Sequence, residues 1–127
     1  MSKILLDSWA WLEIFHGTQI GAEILKQAKS SEMVYTTTAN VFEVMYRIEK
    51  DEGIDIAFEK KDVMEKKSII LPITMEIVVK ALECRKKEKL AAIDSFTLSA
   101  ALLNNAALVT GDPDFKNVKN VIYVGKL

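Results

Sequence analysis

The sequence predicts an α/β protein, a three-layer α/β/α sandwich on a five-stranded parallel sheet. Three observations carry this reading. Five short β-prone segments alternate with helical stretches, a pattern that yields parallel strands with helices on both faces. Ala107-Leu108-Val109-Thr110 is apolar without alternation, as in a strand covered on both sides. The helix before it carries Ile93, Phe96, Leu98, Ala101, Leu102 and Leu103 around nearly its whole circumference, which places it deep in the interior.

The elements follow in order. Lys3-Ile4-Leu5-Leu6 is a short apolar strand ended by Asp7. Ser8 to Phe15 has helical spacing, with Trp9, Leu12 and Phe15 on one side, and Gly17 breaks it. Ile20 to Lys29 is a second helix. Met33 to Thr37 is β-branched and aromatic, hence strand two. Asn40 opens a helix whose inner face is Val41, Val44, Met45 and Ile48, and whose polar stripe is Glu43, Arg47 and Lys50. Gly53 separates it from a charged helix, Ile54 to Lys67. Ser68 to Ile73 is strand three, and Pro72 suggests a sheet edge. Thr74 caps a helix from Met75 to Lys89. The buried helix and strand four come next. Asn120 to Val124 is strand five, with Gly125-Lys126-Leu127 as a tail.

The 127 residues contain no repeat or linker, so residues 1–127 are expected to form one domain. Half the residues are hydrophobic, which excludes disorder, and the net charge of -1 argues against a broadly basic nucleic-acid surface. Cys84 is the only cysteine, which excludes an internal disulfide and fits a reducing cytoplasm. No apolar run reaches the roughly 18 residues that span a bilayer, and MSKILLDSW is too short in apolar residues for a signal peptide. His16 has no partner for a triad. Gly111 stands alone, and Gly17 and Gly21 lack the context of a phosphate-binding loop, so no nucleotide cofactor is expected.

Ligands of open parallel sheets bind beyond the carboxyl ends of the strands. Asp7 follows strand one and Asp112 follows strand four. Asp94 lies in the first turn of the helix before strand four, and Glu43 is expected in the first turn of the helix after strand two. Each acid alone has a bland explanation. Asp7 and Asp112 suit helix caps, Asp94 suits a helix dipole, and Asn40-x-x-Glu43 suits a capping box. Four acids converging on one edge instead favour a hard divalent cation, Mg²⁺ or Mn²⁺. Asp114 is held in reserve as a further ligand. Ser8, Ser95 and Thr110 are the small hydroxyls placed to orient these carboxylates.

The four acidic segments, in order, resemble the motifs of the PIN-domain family. LLDSWAWLE resembles the first, TTANVFEVMYR the second, AAIDSFTLSAAL the third and LVTGDPDF, with its Phe115, the fourth. The small size is similar to the VapC toxins of toxin–antitoxin pairs. The resemblance implies a parallel sheet of order 3-2-1-4-5 and a Mg²⁺- or Mn²⁺-dependent ribonuclease. Its acidic quartet would be Asp7, Glu43, Asp94 and Asp112; we expect Asp7 and Asp94 to hold the principal ion, with Glu43 and Asp112 completing the shell or supporting a second ion. It further implies an RNA substrate, a homodimer and a VapB-type antitoxin as partner. A non-catalytic RNA- or protein-binding module on the same fold is the alternative. A phosphotransfer protein fits poorly, because Asp7 is followed by Ser8 and Trp9 rather than by the second aspartate of a D-x-D motif.

Overall fold

The structure is a computed structural model that describes residues 2–125, so Lys126 and Leu127 of the expected tail lie outside the described residues. In chain order its elements are β1 (Lys3–Leu6), α1 (Ser8–Phe15), α2 (Gln19–Ser30), β2 (Met33–Thr37), α3 (Thr38–Glu52) and α4 (Ile54–Lys67). They continue with β3 (Ile69–Leu71), α5 (Met75–Glu88), α6 (Ala92–Leu103), β4 (Ala107–Thr110), a 3-10 turn (Pro113–Phe115) and β5 (Val121–Tyr123). The strands form one parallel sheet of order β3-β2-β1-β4-β5, as expected.

Side chains alternate across a strand, so β1 feeds two cores. Leu5 packs with Tyr35, Ile77, Leu98, Leu108 and Phe115 on the face covered by α5 and α6. Ile4 and Leu6 pack with Trp11, Ile24, Val44, Ile48 and Val109 under α1 to α4. Both faces are therefore covered, which gives the three layers. Trp11 is fully buried, stacks on Phe15 at 5.7 Å and donates its indole N–H to Thr36 at 3.1 Å. Cys84 is a buried core residue, and His16 is exposed.

Several elements end a residue or two from where the sequence places them, and three departures have a clear physical reason. Helix α3 begins at Thr38, because Thr37 is its N-cap and the capping box closes between Thr37 and Asn40. Glu43 therefore takes no part in a capping box and lies in the second turn. Strand β3 stops at Leu71 because Pro72 has no N–H to continue the ladder; it is an edge strand, as Pro72 suggested. Helix α6 turns small hydroxyls inward. Ser95, Thr97 and Ser99 are buried, while Leu103 is 37% exposed. The hydroxyls stay satisfied, since Ser95 donates to Ala91 O, Thr97 to Ile93 O and Ser99 to Ile77 O. Small residues let α6 lie close to its neighbours, a gain that hydropathy alone does not register. Gly53, at φ +97°, lets the chain reverse between α3 and α4 where an L side chain would be strained.

Candidate metal centre

Strands β1 and β4 are neighbours, and both run toward the same edge. Asp7 leaves the end of β1, and Asp112 lies two residues beyond β4. Helix α6 starts at this edge because it must run antiparallel to β4, which brings up Asp94. Helix α3 leaves β2 beside them and carries Glu43. Asp7, Glu43, Asp94 and Asp112 line one cleft of about 490 Å³. A larger hollow of about 640 Å³ lies among Lys3, Gln27, Ala107 and Asn120, but among the described residues Lys3 is its only ionisable lining side chain. The chemistry therefore points to the smaller cleft.

Asp7 is 5% exposed. Its Oδ1 accepts from Ala10 N at 2.9 Å, so it caps α1 while facing the cleft. Burial pushes its carboxyl up to about 7, against the opposing pull of hydrogen bonds from Thr110 and Ala10. The charges of Asp94 and Asp112 add to the rise. Asp94 is also raised to about 7, first by burial and then by Asp112, Glu43 and Asp114. Two carboxylates raised this far, mainly by burial and further by the charge of neighbouring carboxylates, mark a candidate functional site.

Asp112 caps the 3-10 turn by accepting from Asp114 N at 2.9 Å. That turn swings Asp114 back, so that carboxylate oxygens of Asp94, Asp112 and Asp114 lie within 4.8 Å of one another. Asp7 and Glu43 line the same cleft but stand outside this triad. Asp114 is exposed and does not line the cleft wall, yet it is the residue that completes the tight group. Oxygen donors at this spacing fit a hard divalent cation.

Two of the three small hydroxyls reach the acids. Ser8 donates to Glu43 Oε1. Thr110 hydrogen-bonds Asp7 and accepts from Asp112 N at 3.0 Å. The Ser95 hydroxyl is spent on its own helix, 2.8 Å from Ala91 O.

Sequence reasoning missed Asn40, which it took for a helix start. Its side chain is 1% exposed and fully engaged. Nδ2 donates to Ser8 Oγ at 3.1 Å and Thr97 Oγ1 at 3.0 Å, while Oδ1 accepts from Thr37. The signal was present: Asn40, Val44 and Ile48 recur every four residues, which puts Asn40 on the inner face. Trp9 also lines the cleft, and its ring occupies the space beside Gly111 where a side chain would begin; a Cβ there would stand 2.2 Å from the indole.

Fold and cleft together define an α/β/α sandwich protein with a carboxylate pocket beside its central strands. Residues 4–121 match the profile of the PIN domain, and the chain belongs to that family. No curated protein matches it by sequence. Among solved structures it is similar to a toxin–antitoxin complex from Klebsiella pneumoniae, with 19% identity, a TM-score of 0.81 and coverage of 98% of this chain and 99% of that one. VapBC2 from Rickettsia felis, bound to a DNA fragment from its promoter, gives 19% identity, 0.76, and coverage of 98% and 99%. VapC20 from Mycobacterium tuberculosis, described as a sarcin–ricin loop cleaving toxin, gives 13%, 0.75, and coverage of 91% and 95%. At these identities the likeness concerns the fold. Among the described residues no helix is long and apolar enough to cross a membrane.

Proposed function

We propose that this PIN-domain protein, a single domain over residues 1–127, is a Mg²⁺- or Mn²⁺-dependent endoribonuclease. We assign it the toxin role of a VapBC-type pair in the cytoplasm. The observation that carries the reading is one cleft gathering Asp7, Glu43, Asp94 and Asp112, with Asp7 and Asp94 both raised to about 7.

Asp94, Asp112 and Asp114, with Asp7 beside them, would hold the ion. When bound, such an ion polarises a phosphodiester oxygen and lowers the pKa of a water. The remaining work falls to the chain. Ser8, itself held by Asn40, fixes one oxygen of Glu43. The other Glu43 oxygen is the assigned group for orienting the attacking water and accepting its proton. Thr110 holds Asp7 in place beside it.

An unrestrained ribonuclease harms its own cell, so a VapB-type antitoxin is part of the reading; an antitoxin arginine would pair bidentately with these carboxylates. A homodimer is also part of it, supported by the exposed apolar stripe of Met75, Val79 and Leu82 on α5. The test is Mn²⁺-dependent cleavage of single-stranded RNA by wild type and Asp7→Asn. Equal rates in the two proteins would reject the assignment, and metal-independent RNA binding without cleavage would favour a binding module.

A further inference from the structure

The cleft has a second kind of lining. Tyr46, Arg47 and Lys50 follow Glu43 on α3 at i+3, i+4 and i+7, and all three border the same cavity. Tyr46 is 62% exposed, and Phe42, 64% exposed, stacks against it with centroids 6.4 Å apart and planes 21° from parallel. Two large rings held in water, one on the wall of an acidic cleft, call for an occupant with a flat face. Arg47 meets Asp51 at 3.3 Å, but this is an exposed i,i+4 pair of the kind that contributes little and yields readily to a phosphate. Lys50 is exposed and has no ion pair among the described residues.

An aromatic face and two adjacent cations thus lie on α3 between Glu43 and Asp51, on the wall of the cleft that also holds Asp7, Asp94 and Asp112. Stacking on rings and cationic contacts to the backbone are how unpaired nucleic acid is held without sequence readout. We propose that Tyr46, backed by Phe42, is a stacking platform for an unpaired RNA base next to the scissile phosphate, with Arg47 and Lys50 holding the neighbouring backbone. The location of the scissile phosphate rests on the ribonuclease reading above; the platform itself does not. RNA is favoured over a protein occupant because Lys50, with no ion pair among the described residues, and Arg47, held only by the exposed Asp51, line the cleft beside Tyr46.

The experiment measures binding of a labelled single-stranded RNA to Asp7→Asn protein in Mg²⁺, with and without a change at Tyr46. Tyr46→Ala is expected to raise Kd about 5- to 150-fold, the worth of one stacked base, while Tyr46→Phe stays within about twofold. Lys50→Gln should lower the slope of log Kd against log salt by about 0.7, one phosphate's share on a single strand. Duplex RNA should bind Tyr46→Ala and its parent alike. Unchanged single-strand affinity in Tyr46→Ala overturns the proposal, as does an equal loss on duplex RNA. Intact RNA binding with loss of a copurifying antitoxin also overturns it and assigns the face to protein. If wild type leaves RNA uncut while Tyr46→Ala still weakens binding, the platform stands and the cleavage reading falls.

Discussion

Asn40 Nδ2 lies 3.1 Å from Ser8 Oγ, and Ser8 in turn donates to Glu43, so a buried amide on α3 steers an acid one turn further along the same helix by way of α1. The relay also reaches α6 through Thr97. Three elements that meet at the cleft are thus locked by one side chain that touches no carboxylate.

Removing this amide should separate stability from chemistry. Asn40→Ala leaves Thr37, Ser8 and Thr97 short of buried partners and should cost about 1–3 kcal/mol in urea unfolding. Ser8→Ala removes the bond to Glu43 and one of the two acceptors of the Asn40 amide. It should cost less stability than Asn40→Ala, because Asn40 keeps Thr97 and Thr37, and lower activity or metal affinity about 10- to 100-fold. Wild-type activity in Ser8→Ala would show that Glu43 needs no such support.

Stability without divalent metal should fall as pH rises from about 4 to about 7. Asp7 and Asp94 have folded values near 7 against an ordinary 3.8. The folded state then binds more protons than the unfolded state, and the slope of unfolding free energy with pH is negative. Their contribution is full below about 4 and lost on passing 7. Thermal melts across this range in EDTA test it, and Asp94→Asn should flatten the curve. A rising curve would contradict the raised carboxylates.

Divalent metal should reverse that trend. Protons and cation compete for the same oxygens, so Mn²⁺ should bind more tightly at pH 8 than at pH 6. At a hundredfold excess over Kd the stabilisation should be about 2.7 kcal/mol. Asp94→Asn should lose most of the thermal shift. Asp114→Asn measures whether the exposed aspartate contributes: a full shift in that variant would remove it from the ligand set.

The apolar stripe of α5 makes a prediction about assembly. Leu82 is exposed between Val79 and Lys86 on the outer face of the helix. Leu82→Glu should convert a dimer to monomer by light scattering while the melting temperature of the monomer fold is kept. An unchanged mass would remove α5 from the interface.

Much of this architecture was legible from residue order. The apolar runs Ile4 to Leu6 and Leu108 to Val109 fix two neighbouring strands, and Asp7 and Asp112 sit where those runs stop. Glu43 was placed a turn too early because Thr37, Thr38 and Asn40 are all able to cap, and only the folded backbone selects Thr37. The inner face of α6 was misjudged at Leu103, because hydroxyls that bond their own helix cost little to bury. Asp114, held in reserve as a further ligand, was ranked below Asp112 for another reason. Its part depends on how tightly the turn after Asp112 winds, which adjacent residue types do not fix.

The indole of Trp9 fills the volume that any side chain at position 111 would need. A methyl group there would push the half-buried ring outward, and that ring is part of the cleft wall. The sizes of the side chains at these two positions are therefore coupled. Alanine at 111 thus reshapes the mouth of the pocket through a residue that carries no charge, and a smaller side chain at position 9 would relieve it.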